Sequence, residues 1–182
     1  MAVLVIAEHD NSNLKSSTLN TITAAKKLSD DIHLFILGSN IGELANKSKD
    51  IHSLSKVIKC DNEKLKNFLP ELSAPLISNL AENYSHILAP ASTFGKNLLP
   101  RVSALLDITQ ISDVIDIVSN DTFVRPIYAG NAISQVQTNQ KINLLTIRPT
   151  SFEKSEYSGG DASIEEIPFV DTDLKTIFIN RE

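Results

Sequence analysis

The chain has 182 residues, a formal net charge of −5, and apolar and charged contents of 42% and 21%, the make-up of one globular domain able to bury a core without staples. The acidic balance disfavours nucleic acids and anionic membranes, which need a basic face, and 5% aromatic residues with no Trp disfavour a base-stacking platform. The one cysteine, Cys60, cannot form an internal disulfide, which fits a reducing compartment.

Residues 2–7 are a continuous apolar run and predict a strand buried on both faces. The run is too short for a signal-peptide core and has no basic flank. No other stretch approaches a membrane-spanning length, so a cytoplasmic protein is expected. After a polar turn, Ser17 or Thr18 is placed to cap a helix carrying Leu19, Ile22, Ala25 and Leu28. Residues 32–37 predict a second strand ending at Gly38, residues 41–47 a short helix capped by Asn40, and residues 56–60 a third strand.

Leu65, Phe68, Leu69, Leu72, Leu76 and Leu80 form a helical stripe. Pro70 and Pro75 interrupt it, giving either a kinked helix or two helices in series with Ser73 capping the second. Residues 85–90 predict a fourth strand and residues 93–107 a helix. This alternation predicts an α/β fold: a Rossmann-like parallel sheet with helices on both faces.

Beyond Asp107, residues 111–118, 122–128, 132–138 and 142–147 are strand-like, with turns at Ser119-Asn120-Asp121 and Ala129-Gly130-Asn131. They predict an antiparallel β extension on the parallel core. The stretch SFEKSEYSGGDAS has linker composition. Two short apolar runs follow, residues 164–170 and 174–179, and are expected to pack on something outside the domain. The expected division is an α/β domain over residues 1–148 and a linker or tail over 149–182.

Chemistry-bearing motifs are sparse. His9 and Asp10 follow the first strand, where ligands sit in open α/β sheets, but neighbours in an extended segment point apart, which favours a polar loop. A dinucleotide fingerprint is missing after the first strand, since the first glycine is Gly38. A P-loop also fails, because Gly95-Lys96 is followed by Asn97. The helix start at Thr93 remains a candidate anion site. The four histidines, His9, His33, His52 and His86, lack ligand spacing, so no metal is expected. His33 and His86 are expected to be hydrogen-bonded structural residues, and Cys60 a small apolar one. Arg101 and Arg125 each adjoin a proline and suit a buried ion pair, an interface or a solvated surface.

Three blocks, AEHDNSNLKSSTLNTITAAKKL, HILAPASTFGKNLLPRVSALLDITQISDVIDI and TFVRPIYAGNAISQVQ, resemble in order and spacing the N-terminal domain of the electron transfer flavoprotein α subunit. The resemblance runs from about Val3 to Arg148. It implies an electron carrier without its own catalytic site, formed as an αβ heterodimer. Such heterodimers relay electrons from flavin dehydrogenases, such as acyl-CoA dehydrogenases, to a membrane quinone oxidoreductase. It further implies that FAD is held by a later domain of the α subunit. The β subunit carries AMP, or a second FAD in bifurcating members. The chain stops at Glu182, about where the family's interdomain linker ends, so no cofactor is expected on these residues. The implied role is a scaffold that docks the β subunit, with Lys96, Asn97, Arg101, Arg125, Tyr128 and Asn131 as candidate interface residues. The alternative is an adenine-nucleotide-binding α/β module.

Overall fold

The computed structural model describes residues 1–180. Four strands build its centre: β1 (Ala2–Ile6), β2 (Ile32–Gly38), β3 (Lys56–Asp61) and β4 (Tyr84–Pro90). Their near-continuous apolar character follows from cover on both faces. Val3 and Val5 face one core layer, and Leu4 and Ile6 face the other. Helices α1 (Ser16–Lys26) and α2 (Gly42–Ser48) pack on the first layer through Ile22, Ala25 and Leu44. Helices α3 (Pro70–Leu80) and α4 (Thr93–Leu106) pack on the second through Leu72, Ile77, Leu98 and Val102.

The remaining strands are β5 (Gln110–Val114), β6 (Asp116–Ser119), β7 (Thr122–Ile127), β8 (Ala132–Gln137), β9 (Asn143–Ile147) and β10 (Ser163–Glu166). They divide between two sheets. One runs β10-β3-β2-β1-β4-β9-β5, and the other runs β6-β7-β8. All pairings in the large sheet are parallel, and both in the small sheet are antiparallel. The α/β class, the helices on both faces and the antiparallel extension all hold.

The extension is smaller than the sequence suggests. Residues 142–147 return to the parallel sheet between β4 and β5. The run 111–118 divides into two strands at Ile115, just after a register shift in β5 where Asp113 takes a left-handed conformation (φ 62°). A left-handed non-glycine residue interrupts the pleat and bulges the strand. β5 stays parallel to β9, and β6 starts the small sheet. Ile117 and Phe123 anchor that sheet in the α1 layer. His86 fastens it from β4: its Nε2 donates to the Asn120 carbonyl at 2.7 Å, and the Ser85 hydroxyl meets Nδ1 at 2.9 Å.

Helix caps also differ from expectation. α1 begins at Ser16, and Thr18 instead ties the helix to the preceding loop, its hydroxyl accepting from Glu8 N–H and donating to the Glu8 carbonyl. α2 is not capped by the Asn40 side chain. The Asp61 carboxylate at the end of β3 accepts from the Asn40 and Ile41 amides at 2.7 and 2.9 Å, which suits the positive end of the helix. α3 begins at Pro70, where a missing N–H costs nothing, and Pro75 lies inside it. Neither a helix over the whole stripe nor a Ser73-capped second helix forms.

The tail segment packs on its own domain. β10 adds in parallel to β3, and its Glu165 and Glu166 pair with Lys56 and Lys59, both at 2.8 Å. Ile167, Phe169 and Leu174 lie against the α3–α4 layer. Part of the apolar character assigned to an outside surface is therefore used internally, while Ile177 and Ile179 stay exposed.

Candidate functional site

The strand order reverses between β1 and β4, and in open parallel sheets ligands sit beyond the strand ends at that switch point. A cleft of about 330 Å³ lies there, lined by Glu8, His9, Asp10 and Lys15 after β1, residues 67–69 before α3 and Pro70 at its start, and Thr93, Phe94, Asn97 and Leu98 of α4. Phe68 holds a left-handed backbone (φ 57°), costly for a bulky side chain, and its ring meets the His9 ring edge-on at 5.0 Å.

His9 forms the floor and has no free nitrogen. Nδ1 accepts from the Asn11 amide at 3.0 Å, which leaves Nε2 to donate to the Leu37 carbonyl at 3.1 Å. Burial lowers its pKa to about 4, outweighing the opposing Leu37 hydrogen bond and the Asp10 charge. Asp10 is half committed: its Oδ1 accepts from the Ser12 and Asn13 amides at 2.9 and 2.8 Å, and its Oδ2 makes no hydrogen bond among the described residues. These bonds hold its carboxyl below the usual range. His9 therefore braces the loop and has no nitrogen left to act as a base.

The start of α4 is shaped by packing. A Cβ on Gly95 would fall on the Pro90 carbonyl, so glycine lets the helix descend against the end of β4. This accounts for the glycine without invoking a phosphate. The cleft also suits a flavin dinucleotide poorly. It lies near the lower bound for small-ligand sites, and Glu8 and Asp10 oppose the single ammonium of Lys15 against a pyrophosphate. Among the described residues, no group of three or more His, Cys, Asp or Glu could hold a metal ion. Cys60 is buried, and burial pushes its thiol up to about 11, far from a reactive thiolate. His33 bridges structural partners, Tyr84 Oη at 2.8 Å and the Asp31 carboxylate at 3.1 Å.

The six candidate interface residues fall into four places. Asn97 lines the cleft. Arg101 turns to α3 and pairs with Glu71 at 3.0 Å. Tyr128 and Asn131 belong to the loop between β7 and β8, where Tyr128 is 79% exposed and Tyr128, Ala129 and Gly130 all have positive φ. Lys96 and Arg125 act on Asp113. Arg148, which follows β9, grips both Asp113 oxygens, with Nε at 3.0 Å and Nη2 on the other oxygen. Arg148 first, then Lys96 and Arg125, hold the Asp113 carboxyl below the usual range. Sequence reasoning missed Asp113 and Arg148. Their only trace was an aspartate, Asp113, interrupting the apolar run 111–118.

No helix among the described residues is long and apolar enough to cross a membrane. The electron transfer flavoprotein domain model matches residues 3–172. The α subunit of the electron transfer flavoprotein from Pseudomonas aeruginosa is 47% identical over 182 residues, covering 100% of this chain and 59% of that protein. The probable mitochondrial α subunit from Caenorhabditis elegans is 42% identical over 185 residues, covering 100% of this chain and 55% of its own length. The mitochondrial α subunit from Dictyostelium discoideum is 44% identical over 169 residues, covering 88% and 48%. The chain thus spans about half the length of the curated relatives it matches. The matched span holds both sheets, and by that span and those identities the chain belongs to the electron transfer flavoprotein family, on the side of its α subunits.

Proposed function

We propose that this chain is the scaffold part of an electron transfer flavoprotein α subunit. It docks the β subunit and supports the flavin-bearing part of the complex. That complex relays electrons from flavin dehydrogenases, such as acyl-CoA dehydrogenases, through a quinone oxidoreductase to the respiratory chain. In this reading the residues here conduct no chemistry, FAD sits elsewhere in the heterodimer, and AMP or a second FAD belongs to the β subunit. The residue division, 1–148 as the platform and 149–182 as the lead into further structure, is part of the proposal.

The observation that carries the docking role is the free edge of β8. β8 pairs with β7 without a bulge from Thr122–Gln137 to Ile127–Ala132, and its other edge has no strand among the described residues. Residues 132–140 contain no charge and no proline, the usual devices that block edge pairing. Ile133 is 60% exposed on it, and Tyr128 stands beside its start. Such an edge suits a strand from a partner.

Mixing the chain with the β subunit of the same organism, followed by light scattering on a sizing column, tests this. A one-to-one complex is expected, with no flavin absorbance on the chain alone. Stoichiometric flavin on the isolated chain, or no complex with a folded β subunit, overturns the reading.

The cleft at the switch point supports a second reading, an adenine-nucleotide module. Phe68 and Phe94 line it, and Lys15, Asn67, Thr93 and Asn97 make no side-chain hydrogen bond or ion pair there among the described residues. Glu8 and Asp10 weigh against a phosphate. Calorimetric titration with AMP decides: saturable heat favours the module, and none at millimolar nucleotide removes it.

A further inference from the structure

Among the arginines of the described residues, Arg125 alone has unfinished chemistry. Arg101 has Glu71, and Arg148 has Asp113. Arg125 is half-buried, its Nε is shielded from solvent, and that atom has no acceptor. Among the described residues its guanidinium makes neither a hydrogen bond nor an ion pair. Burying an arginine donor without an acceptor is costly. The nearby carboxylate cannot serve it with the same fork, because Arg148 takes both Asp113 oxygens. Lys96, at the start of α4, also has no ion-pair partner among the described residues. Arg148 holds Asp113 directly, and the charges of Lys96 and Arg125 also favour its carboxylate form.

The position of Arg125 suits a polypeptide ligand. It lies on β7 opposite Ser134 of β8, so it is one strand spacing, about 4.8 Å, from the unpaired edge. The exposed loop of Tyr128 follows two residues after Pro126 on the same strand. A segment laid along the edge passes within side-chain reach of the guanidinium.

We propose that Arg125 and Lys96 form a receptor for a carboxylate side chain on an acidic segment of the β subunit. The planar fork of Arg125 takes the carboxylate with two parallel hydrogen bonds, and Lys96 adds charge. The proposal rests on the α-subunit reading above.

The test measures affinity of the 182-residue chain for the β subunit at low and high salt, with Arg125→Gln, Arg125→Lys and Lys96→Gln, alongside thermal melting of each free variant. R125Q is expected to weaken binding by about tenfold or more and to flatten its salt dependence. R125K recovers part, and K96Q loses less. Melting of free R125Q is expected not to fall below the wild-type value, because the free chain offers Arg125 no hydrogen-bond or ion-pair partner and the substitution removes an unsatisfied buried donor. If the wild-type chain binds and R125Q binds equally well, this inference falls and the α-subunit reading stands. If the folded wild-type chain does not bind, both fall. A lower melting temperature for R125Q assigns it a structural role and overturns the receptor. Saturable displacement of the β subunit by inorganic phosphate overturns the carboxylate in favour of a phosphate group.

Discussion

The hydroxyl of Thr172 donates to the Glu71 carbonyl at 3.4 Å, the carbonyl that Pro75, four residues on, leaves without its helical donor. The tail thereby repairs a gap that proline makes in α3. Asp171 supports the contact through its ion pair with Lys64. Thr172→Val removes the donor and is expected to cost at most about 1 kcal/mol of global stability. Its larger effect is local: hydrogen exchange should quicken at Ile167, whose amide bonds the Lys59 carbonyl, while β1 stays protected. Unchanged exchange across residues 167–174 would show that the strap holds without this bond.

Gly95 and Gly42 give opposite expectations for the same substitution. Gly95→Ala drives a methyl into the Pro90 carbonyl where α4 meets β4, and should cost about 3 kcal/mol. Gly42, in the first turn of α2, has nothing within 4 Å of a Cβ. Gly42→Ala should stabilise by up to about 1 kcal/mol through helix propensity and a less disordered unfolded chain. Chemical denaturation of the two variants checks both signs at once.

The central strands and the helices that cover them were legible because each buries a continuous or stripe-like apolar set, a local signal. The return of β9 to the parallel sheet was not. INLLTI looks the same in either sheet, and its neighbours β4 and β5 are distant in sequence. β10 escaped notice because SIEE is polar and exposed; ion pairs to Lys56 and Lys59 hold it rather than burial. The irregularity at Asp113 was hidden because a left-handed aspartate carries no signature as plain as glycine's. For the candidate site, the family-like blocks drew attention to Arg125 and Lys96. Their relation to Asp113 and Arg148 depends on the folded ends of β5 and β9, which no local pattern encodes.

His86 joins the two sheets by one strong bond to the Asn120 carbonyl, with Asn143 as a second donor at 3.2 Å. His86→Leu keeps the bulk and removes the donor. A loss of about 1 kcal/mol is expected, the usual net worth of one hydrogen bond whose carbonyl can turn to water or Asn143 instead. Amide exchange in β6 and β7 should accelerate more than in β1 and β2. A uniform change across both sheets would show that the bond is not the hinge point between them.

His9 makes folding sensitive to mild acid. Its unfolded value is 6.5, and burial lowers the folded value to about 4. Between these values the unfolded chain binds the proton that the folded chain refuses, so stability falls as pH drops. The contribution is intact above pH 6.5, and its loss grows to about 3 kcal/mol as pH falls to 4. His9→Gln keeps a donor and an acceptor near Leu37 and Asn11 but does not titrate. At neutral pH the variant should be less stable by about 1 kcal/mol, from imperfect geometry. On acidification the gap should close and then reverse, because only the wild type bears the proton penalty. Urea denaturation of both proteins across this range measures the difference directly and cancels the carboxylates they share. A wild-type-minus-variant difference that stays constant from neutral pH to 4 would mean that the His9 imidazole accepts a proton as readily in the folded loop as in the unfolded chain.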